Sequence, residues 1–192
     1  MLKIKEIKSK FLNKVQIGRK VFCLELDPYG YEGKIDEVAK EASSFNMILV
    51  SGNDVMNQSK ELADFCKQVY KLNPMSNILI ETKGEKKPVG MTSLKNTSFV
   101  FYSDFINNKD EFHNIEDKII KWFSAADTAF VFKIADDGVL DDIDMIAKSF
   151  NIKNKSIYIH IQTDDFKTTA FKVFNMGFNI YVEFEGEWFD KS

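Results

Sequence analysis

Side chains that can bind ligands or transfer protons follow several apolar runs of this sequence. Asp27 could act as an acid or base, Lys133 could form a Schiff base if desolvated, and His160 could act as a base or metal ligand. Ligands of parallel α/β folds bind at the carboxyl ends of strands, so polar residues at such positions are candidates for binding a small molecule. The binding candidates are Ser51, Gly52, Asn53, Asp54, Glu81, Thr82, Lys83, Ser103, Gln162 and Glu183.

Each of these signals also has a purely structural interpretation. Residues 51–54 could be a tight turn before a helix, with an Asn or Asp adopting turn geometry. Lys133 could extend its amine to solvent or pair with a neighbouring carboxylate. His160 alternates with Tyr158 and Gln162 on one strand face, where a hydrogen-bonded inward histidine also fits. No GxSxG, HExxH, P-loop or GxGxxG segment decides between the interpretations.

The two cysteines exclude one large class of chemistry. Cys23 and Cys66 lie far apart in the chain, without a CxxC spacing. Two thiols cannot hold a cubane iron–sulfur cluster, which takes three or four, or a Cys-rich zinc site. Cys23 lies in an apolar run and Cys66 on the apolar face of a predicted helix. We therefore predict two core cysteines without a disulfide, no metal site and no iron–sulfur cofactor.

Composition and charge narrow the range of partners. Of the 192 residues, 44% are hydrophobic, which is typical of a globular domain, and the net charge is −3. The negative net charge leaves no cationic surplus for binding the phosphates of a nucleic acid. Arg19 is the only arginine, so side chains that form paired hydrogen bonds with a base are also nearly absent. No apolar run is long enough to cross a bilayer, and no signal peptide is recognisable. We predict one cytoplasmic domain over residues 1–192, without nucleic-acid or membrane partners. The lysines of the N-terminus are interpreted as a solvated face: Lys3, Lys5, Lys8, Lys10 and Lys14.

The elements that would position the candidates alternate between strand and helix. Apolar runs of β-type residues predict seven strands, at 20–27, 46–51, 77–82, 97–102, 127–135, 156–162 and 178–184. Apolar residues at helical spacing predict helices over 35–45, 62–72, 115–125, 140–150 and 165–176. The Gly-, Lys- and Pro-rich stretch 83–95 is predicted to be a loop.

This alternation predicts the fold class. Nearly continuous apolar strands separated by helices are typical of an α/β fold with a parallel sheet covered by helices. Seven strands are too few for a complete eight-unit barrel, which takes about 250 residues. An incomplete barrel and an open α/β sheet both fit.

Several segments, taken in chain order, match those of one enzyme family. Residues 4–26 carry Glu6-Ile7, Gly18-Arg19 and Val21-Phe22 where the family has an EIF segment, a Gly-Arg pair and a VFIRL strand. NMILVSGND and NILIETKG resemble its VVLTGGEP and IETNG strands, and FNIYVEFEGEW resembles its C-terminal strand. The family is 7-carboxy-7-deazaguanine synthase, a radical SAM enzyme of the queuosine pathway. The resemblance implies a radical SAM-like partial TIM-type barrel of about six or seven parallel strands with outer helices, and a homodimer.

The family's chemistry depends on residues that this chain lacks. Three cysteines after its first strand hold a 4Fe–4S cluster, which cleaves S-adenosylmethionine to rearrange 6-carboxytetrahydropterin with the help of magnesium. Residues 27–33, DPYGYEG, stand in place of that loop without a cysteine, and the GGEP position reads SGND at 51–54. The resemblance therefore implies a relative that keeps the scaffold without the cluster, and residual binding of S-adenosylmethionine or Mg²⁺ is not expected.

Two kinds of function follow from these observations. The first is a scaffold without radical chemistry that binds a small molecule or a partner protein, linked to queuosine or 7-deazapurine metabolism. The alternative is an enzyme of different chemistry, with Asp27, Glu81, Lys133 and His160 as an acid–base set and the lysine as Schiff base. An open polar pocket favours ligand binding, whereas a filled pocket and an apolar surface patch favour a protein partner.

Overall fold

The structure is a computed structural model that describes residues 1–11, 20–91, 94–105 and 115–181. Its strands are Leu2–Phe11 (β1), Lys20–Leu26 (β2), Tyr31–Gly33 (β3), Met47–Gly52 (β4), Asn77–Thr82 (β5), Thr97–Asp104 (β6), Thr128–Ile134 (β7), Ile157–Ile161 (β8) and Asn179–Tyr181 (β9). Its α-helices are Ile35–Ala42 (α1), Ser59–Leu72 (α2), Asp117–Ala125 (α3), Leu140–Phe150 (α4) and Phe166–Asn175 (α5). All seven predicted strands and five predicted helices are present; β5 and α4 have the predicted ends, and the others are shifted by a few residues. Residues 182–184 of the last predicted strand lie outside the described residues.

The strands form a single sheet in which neighbours in space are mostly neighbours in the chain. Its order is β3-β1-β2-β4-β5-β6-β7-β8-β9. From β2 onward every pairing is parallel, whereas β1 pairs antiparallel with both β2 and β3. The predicted α/β class is confirmed. Within the described ranges the sheet is open, with β3 and β9 at its two edges.

Of the lysines predicted to form a solvated face, Lys3, Lys5, Lys8 and Lys10 lie in strand β1, and Lys14 lies outside the described residues. Lysines alternate with apolar residues there, and a period of two is the pattern of a half-buried strand. Leu2 and Ile4 are fully buried. On the other side of the strand, the amines of Lys3 and Lys5 pair with Glu32 at 2.7 Å and Glu25 at 2.6 Å. The sequence interpretation missed β1 and the short β3, which are the antiparallel part of the sheet.

One face of the sheet packs against the helices and forms the main core. Alternate residues of each parallel strand and the apolar stripes of all five helices belong to one buried cluster. Aromatic rings fill its centre, where Phe101 of β6 meets Phe123 of α3 edge-on with ring centroids 5.2 Å apart. Phe130 of β7 also packs against Phe101, with ring centroids 5.4 Å apart.

The opposite face of the sheet changes character along the strands. On β2 and β4 it is partly apolar and buried, and Val21, Cys23 and Leu49 form a second small cluster of strand residues only. Toward the carboxyl ends the same face carries polar, half-buried side chains, among them Glu81 and Lys133. No helix of the described ranges contributes to this second cluster. The carboxyl half of this face, which we call the helix-free face, is therefore polar, and the predicted site lies there.

Candidate functional site

Four chemically reactive residues lie side by side across the carboxyl half of the sheet. The parallel register pairs Asp104 of β6 with Lys133 of β7, Lys133 with His160 of β8, and His160 with Tyr181 of β9. Because side chains opposite one another in register share a face, all four lie on the helix-free side. We call these four residues the polar row. Sequence reasoning named Lys133 and His160 as candidates, and the structure places them on adjacent strands.

Contacts within the polar row connect its members. The Lys133 amine lies 3.7 Å from a carboxylate oxygen of Asp104, with 31% and 27% of the two side chains exposed. The His160 ring lies 5.4 Å from the Tyr181 ring, and the Tyr181 hydroxyl is 3.0 Å from that of Tyr102. These half-buried groups provide a cation, a carboxylate, an imidazole and two phenols within one surface.

A separate open cleft lies above the ends of β4 and β5. It has a volume of about 620 Å³, within the range of ligand-binding pockets. One wall is the turn after β4, another is the turn after β5, and the third is the start of α3. The lining residues are Gly52, Asn53, Asp54, Lys83, Gly84, Glu85, Ile115, Glu116 and Ile119. We call it the strand-end cleft. Four of the predicted binding residues lie in its walls: Gly52, Asn53, Asp54 and Lys83.

The turn after β5 is held by its own polar side chains. The buried Thr82 hydroxyl donates to a Glu85 carboxylate oxygen over 2.7 Å and accepts from the Gly84 N–H over 2.9 Å. The other Glu85 oxygen accepts from the backbone N–H of Lys83 over 3.3 Å. Gly84 has φ +77°, and a Cβ there would lie 2.4 Å from the Phe101 ring. The core aromatic below the turn therefore requires glycine at this cleft wall.

The turn after β4 has the tight geometry that the sequence suggested, and it also lines the cleft. Gly52 adopts φ +129°, and a Cβ there would lie 2.0 Å from the Leu26 carbonyl oxygen. Asp54 has φ +52° in the left-handed region, which Asp tolerates better than most residues. The two interpretations of residues 51–54 therefore do not exclude each other.

Asp27 connects this turn to the loop after β2. One carboxylate oxygen accepts from the Tyr29 N–H over 2.9 Å, and the other accepts from the Asn53 side-chain amide over 3.0 Å. These two hydrogen bonds stabilise the charged form and lower the pKa of Asp27 below its usual range, with the Tyr29 bond as the larger cause. Asp27 is thus an ionised carboxylate that fixes two loops.

Two of the predicted binding residues lie away from the site. Thr82 and Ser103 alternate with the helix-free residues of their strands, so they face the helix layer, and both are buried. Thr82 supports the turn after β5, whereas the Ser103 hydroxyl has no hydrogen-bond partner within the described ranges. Gln162 is exposed, with its amide 3.5 Å from the His160 ring. Ser51 and Glu81 are half-buried on the helix-free face, and Glu183 lies outside the described residues.

Sequence reasoning left other residues of these surfaces out of the predicted site. Tyr102 lies two residues from both Val100 and Asp104 in β6, so the period of two along a strand could have placed it on the same face as Asp104. Glu85 and Glu116 come from different loops, and no local pattern connects them. Their approach is a consequence of tertiary structure alone.

Both cysteines are free and buried, as predicted. Cys23 belongs to the small cluster of the helix-free face and Cys66 to the main core, so the two thiols lie in separate packing environments. Burial raises the pKa of the Cys66 thiol to about 12, which keeps it protonated at neutral pH.

Neither a metal centre nor a membrane-spanning helix is present in the described ranges. No group of three or more His, Cys, Asp or Glu side chains there could hold a metal ion. No helix there has the length and apolar character needed to cross a membrane.

No model of a known protein family matches the sequence, and no curated protein is significantly similar to it.

Proposed function

We propose that this protein binds a small polar molecule at the carboxyl edge of its sheet and does so without radical chemistry. The observation that carries the proposal is the strand-end cleft, an open cavity of about 620 Å³ into which the turns of two neighbouring strands place polar groups. An open polar cavity favours a ligand over a purely structural role. The turns that form it are fixed by internal hydrogen bonds, so the cavity is preorganised.

The charges of the cleft indicate the class of ligand. Three carboxylates, Asp54, Glu85 and Glu116, line it with one lysine, Lys83. Such a lining repels phosphates and attracts N–H donors, because a carboxylate only accepts hydrogen bonds when ionised. A heterocycle with an amidine-type N–H edge, as in guanine-type bases and pterins, has the required donors.

The same ligand class agrees with the proposed ancestry. We propose that the chain is a relative of 7-carboxy-7-deazaguanine synthase on a partial barrel, with a role in queuosine or 7-deazapurine metabolism. Parallel strands in chain order and a polar carboxyl end on the helix-free face support this assignment. The loop at 27–33, which has no cysteine, supports loss of the cluster.

A thermal-shift screen tests the proposal. The probes are 6-carboxytetrahydropterin, 7-deazaguanine, S-adenosylmethionine, S-adenosylhomocysteine and Mg²⁺, under anaerobic conditions. A ligand at 100 times its Kd stabilises by about 2.7 kcal/mol, which raises Tm by about 5–11 °C for a chain of this size. We expect a shift with the pterin or the deazapurine, and little with S-adenosylmethionine or Mg²⁺.

Variants connect a positive result to the cleft. Asp54→Asn keeps a residue that tolerates φ +52° and removes one carboxylate, so affinity should fall about tenfold. Asp141→Asn is the matched control, because it makes the same change at an exposed carboxylate that does not line the cleft. No shift with any probe contradicts the binding role. Uptake of a stoichiometric 4Fe–4S cluster on anaerobic reconstitution contradicts the loss of radical chemistry.

The polar row supports a second candidate, an enzyme of acid–base or Schiff-base chemistry. Lys133 has His160 beside it in register and Asp104 at 3.7 Å, so groups that could move protons surround the amine. Its amine would condense with a carbonyl and release water, and borohydride would reduce the resulting imine. Mass spectrometry should then find an adduct at Lys133 and none in Lys133→Met. Absence of an adduct with small aldehydes excludes the Schiff-base version. Asp27, proposed in the same set, is instead bonded to Tyr29 and Asn53.

The resemblance also predicts a homodimer or a complex with a partner protein. Sedimentation equilibrium of the purified chain tests the first possibility, because a monomer at all concentrations contradicts it.

A further inference from the structure

A second cavity lies on the loop after β2, beside the strand-end cleft. It measures about 380 Å³ and is lined by Ile4, Lys5, Asp27, Tyr29, Gly30 and Tyr31. We call it the loop pocket. The Asp27–Asn53 hydrogen bond separates it from the cleft, since Asp27 lines one and Asn53 the other.

The loop pocket carries two tyrosines that face solvent on a fixed backbone. Tyr29 is 98% exposed and Tyr31 55% exposed. The Tyr29 N–H donates to the Asp27 side chain and the Gly30 N–H donates to the Asp27 carbonyl, both over 2.9 Å. Gly30 lies so close to β1 that a Cβ there would be 2.3 Å from the Ile4 carbonyl oxygen. The backbone at Tyr29 is therefore fixed, although the Tyr29 side chain contributes little to the core.

The charges of the loop pocket determine which ligand it suits. The Asp27 carboxylate uses one acceptor site on each oxygen and keeps further lone pairs for a ligand. The Lys5 amine also lines the pocket and is attracted by Asp27, but its ion pair with Glu25 at 2.6 Å offsets most of its charge. Tyrosine faces attract cations through the ring quadrupole, and a nearby carboxylate adds to that attraction.

We infer that the loop pocket binds the ammonium group of a small organic cation, with the tyrosine rings against the cation and Asp27 as its counter-ion. This site would fill whether or not the strand-end cleft is occupied, so it does not depend on the ligand proposed for the cleft. Anions are excluded by the same carboxylate.

Choline and its neutral isostere 3,3-dimethyl-1-butanol are the probes, titrated into the full chain and followed by ¹H NMR of their methyl groups. The two probes have the same shape and differ in charge, so only a cation site distinguishes them. Choline should saturate with a millimolar Kd, and the neutral isostere should bind at least about tenfold more weakly. Equal binding of the two probes, or no binding of choline up to about 20 mM, overturns the inference.

Variants locate the binding. Tyr29→Ala should weaken choline binding about tenfold, and Lys5→Met should strengthen it because it leaves Glu25 as an additional negative charge. Phe174→Ala is the matched control, since Phe174 is another exposed aromatic, on α5, that lies outside the pocket. Retention of full affinity by Tyr29→Ala, or an equal loss in Phe174→Ala, overturns the inference. Asp27→Asn should also weaken binding, and Tyr29→Ala tests the site without disturbing the loop.

Discussion

The side-chain amide of Asn53 donates a hydrogen bond over 3.0 Å to the carboxylate of Asp27, and this bond joins the loop after β2 to the loop after β4. The two residues come from adjacent parallel strands whose ends pair Leu26 with Gly52. The bond therefore lies between two neighbouring cavities, with Asp27 in the wall of one and Asn53 in the wall of the other.

Acid should weaken this connection. The pKa of Asp27 is lowered in the folded protein, so its contribution to stability is complete above the ordinary value of about 3.9 and is lost as pH falls through the lower folded value. Asp27→Asn should reduce stability at pH 7, and the difference from wild type should shrink below about pH 4. Urea unfolding from pH 7 down to the acid limb measures this. A constant difference across the range contradicts the assignment.

Alanine should be tolerated very differently at two glycines of positive φ. At Gly52 a Cβ would meet the rigid Leu26 carbonyl at 2.0 Å, whereas at Gly90, with φ +75°, the nearest atom is the Ala63 methyl at 3.4 Å. Gly90→Ala should cost about 1 kcal/mol from strain alone, and Gly52→Ala about 3 kcal/mol or more from strain plus overlap. Free energies of unfolding from urea titrations measure both. Equal losses would show that the overlap relaxes.

The aromatic centre of the core should dominate stability. Phe101 is 1% exposed and packs against Phe123 and Phe130, whereas Phe174 is 76% exposed. Phe101→Ala should cost about 3–5 kcal/mol, and Phe174→Ala should change stability by less than about 0.5 kcal/mol. Chemical denaturation of the two variants gives the comparison. A cost at Phe174 near that at Phe101 would show that α5 covers a surface in solution.

Cys66 should resist alkylation in the native protein. Burial raises the pKa of its thiol to about 12, so almost none is the reactive thiolate at pH 8. Peptide mass spectrometry after iodoacetamide treatment should find Cys66 unmodified in buffer and fully modified in concentrated urea. Rapid labelling of Cys66 without denaturant contradicts its place in the core.

The hydroxyl of Tyr70 should ionise at a higher pH than that of an exposed tyrosine. Burial raises the pKa of its hydroxyl to about 12, although the bond to Thr97 over 2.9 Å opposes this rise. Because the folded pKa is above the ordinary value of about 10, the stability contribution is intact below pH 10 and is lost as pH rises through the folded value. Absorbance at 295 nm should therefore show one tyrosine that titrates late and is missing in Tyr70→Phe. Tyr29→Phe, at an exposed position, should leave that late step unchanged.

The sequence predicts the parallel part of this fold because burial on both faces leaves long apolar runs. The same rule fails for β1, because this strand is buried on one face only and Lys3 and Lys5 occupy its other face. The strand-end rule identifies Asn53, Asp54 and Lys83, which line one cleft. It does not show that Thr82 and Ser103 face the helices, since a one-residue offset changes the face of a side chain.

Contacts between loops are the part that sequence patterns do not contain. Glu116 reaches the strand-end cleft because α3 begins beside the turn after β5, and this depends on packing of the whole βα unit. Likewise, Tyr102 and Tyr181 meet through their hydroxyls only because the register of four strands brings them together. The spacing of residues along the chain predicts neither the position of Glu116 at the cleft nor the contact between Tyr102 and Tyr181.

The order of the parallel strands has a consequence for how the chain can assemble. Each strand pairs with the next one along the chain, so paired residues such as Ile48 and Ile78, or Phe130 and Ile157, are about 20 to 30 residues apart. When a parallel strand leaves the ribosome, the parallel strand with which it pairs has already been synthesised. The sheet can therefore grow without a strand having to insert between two strands that are already paired. Synthesis and folding can therefore proceed in the same direction, one βα unit after another.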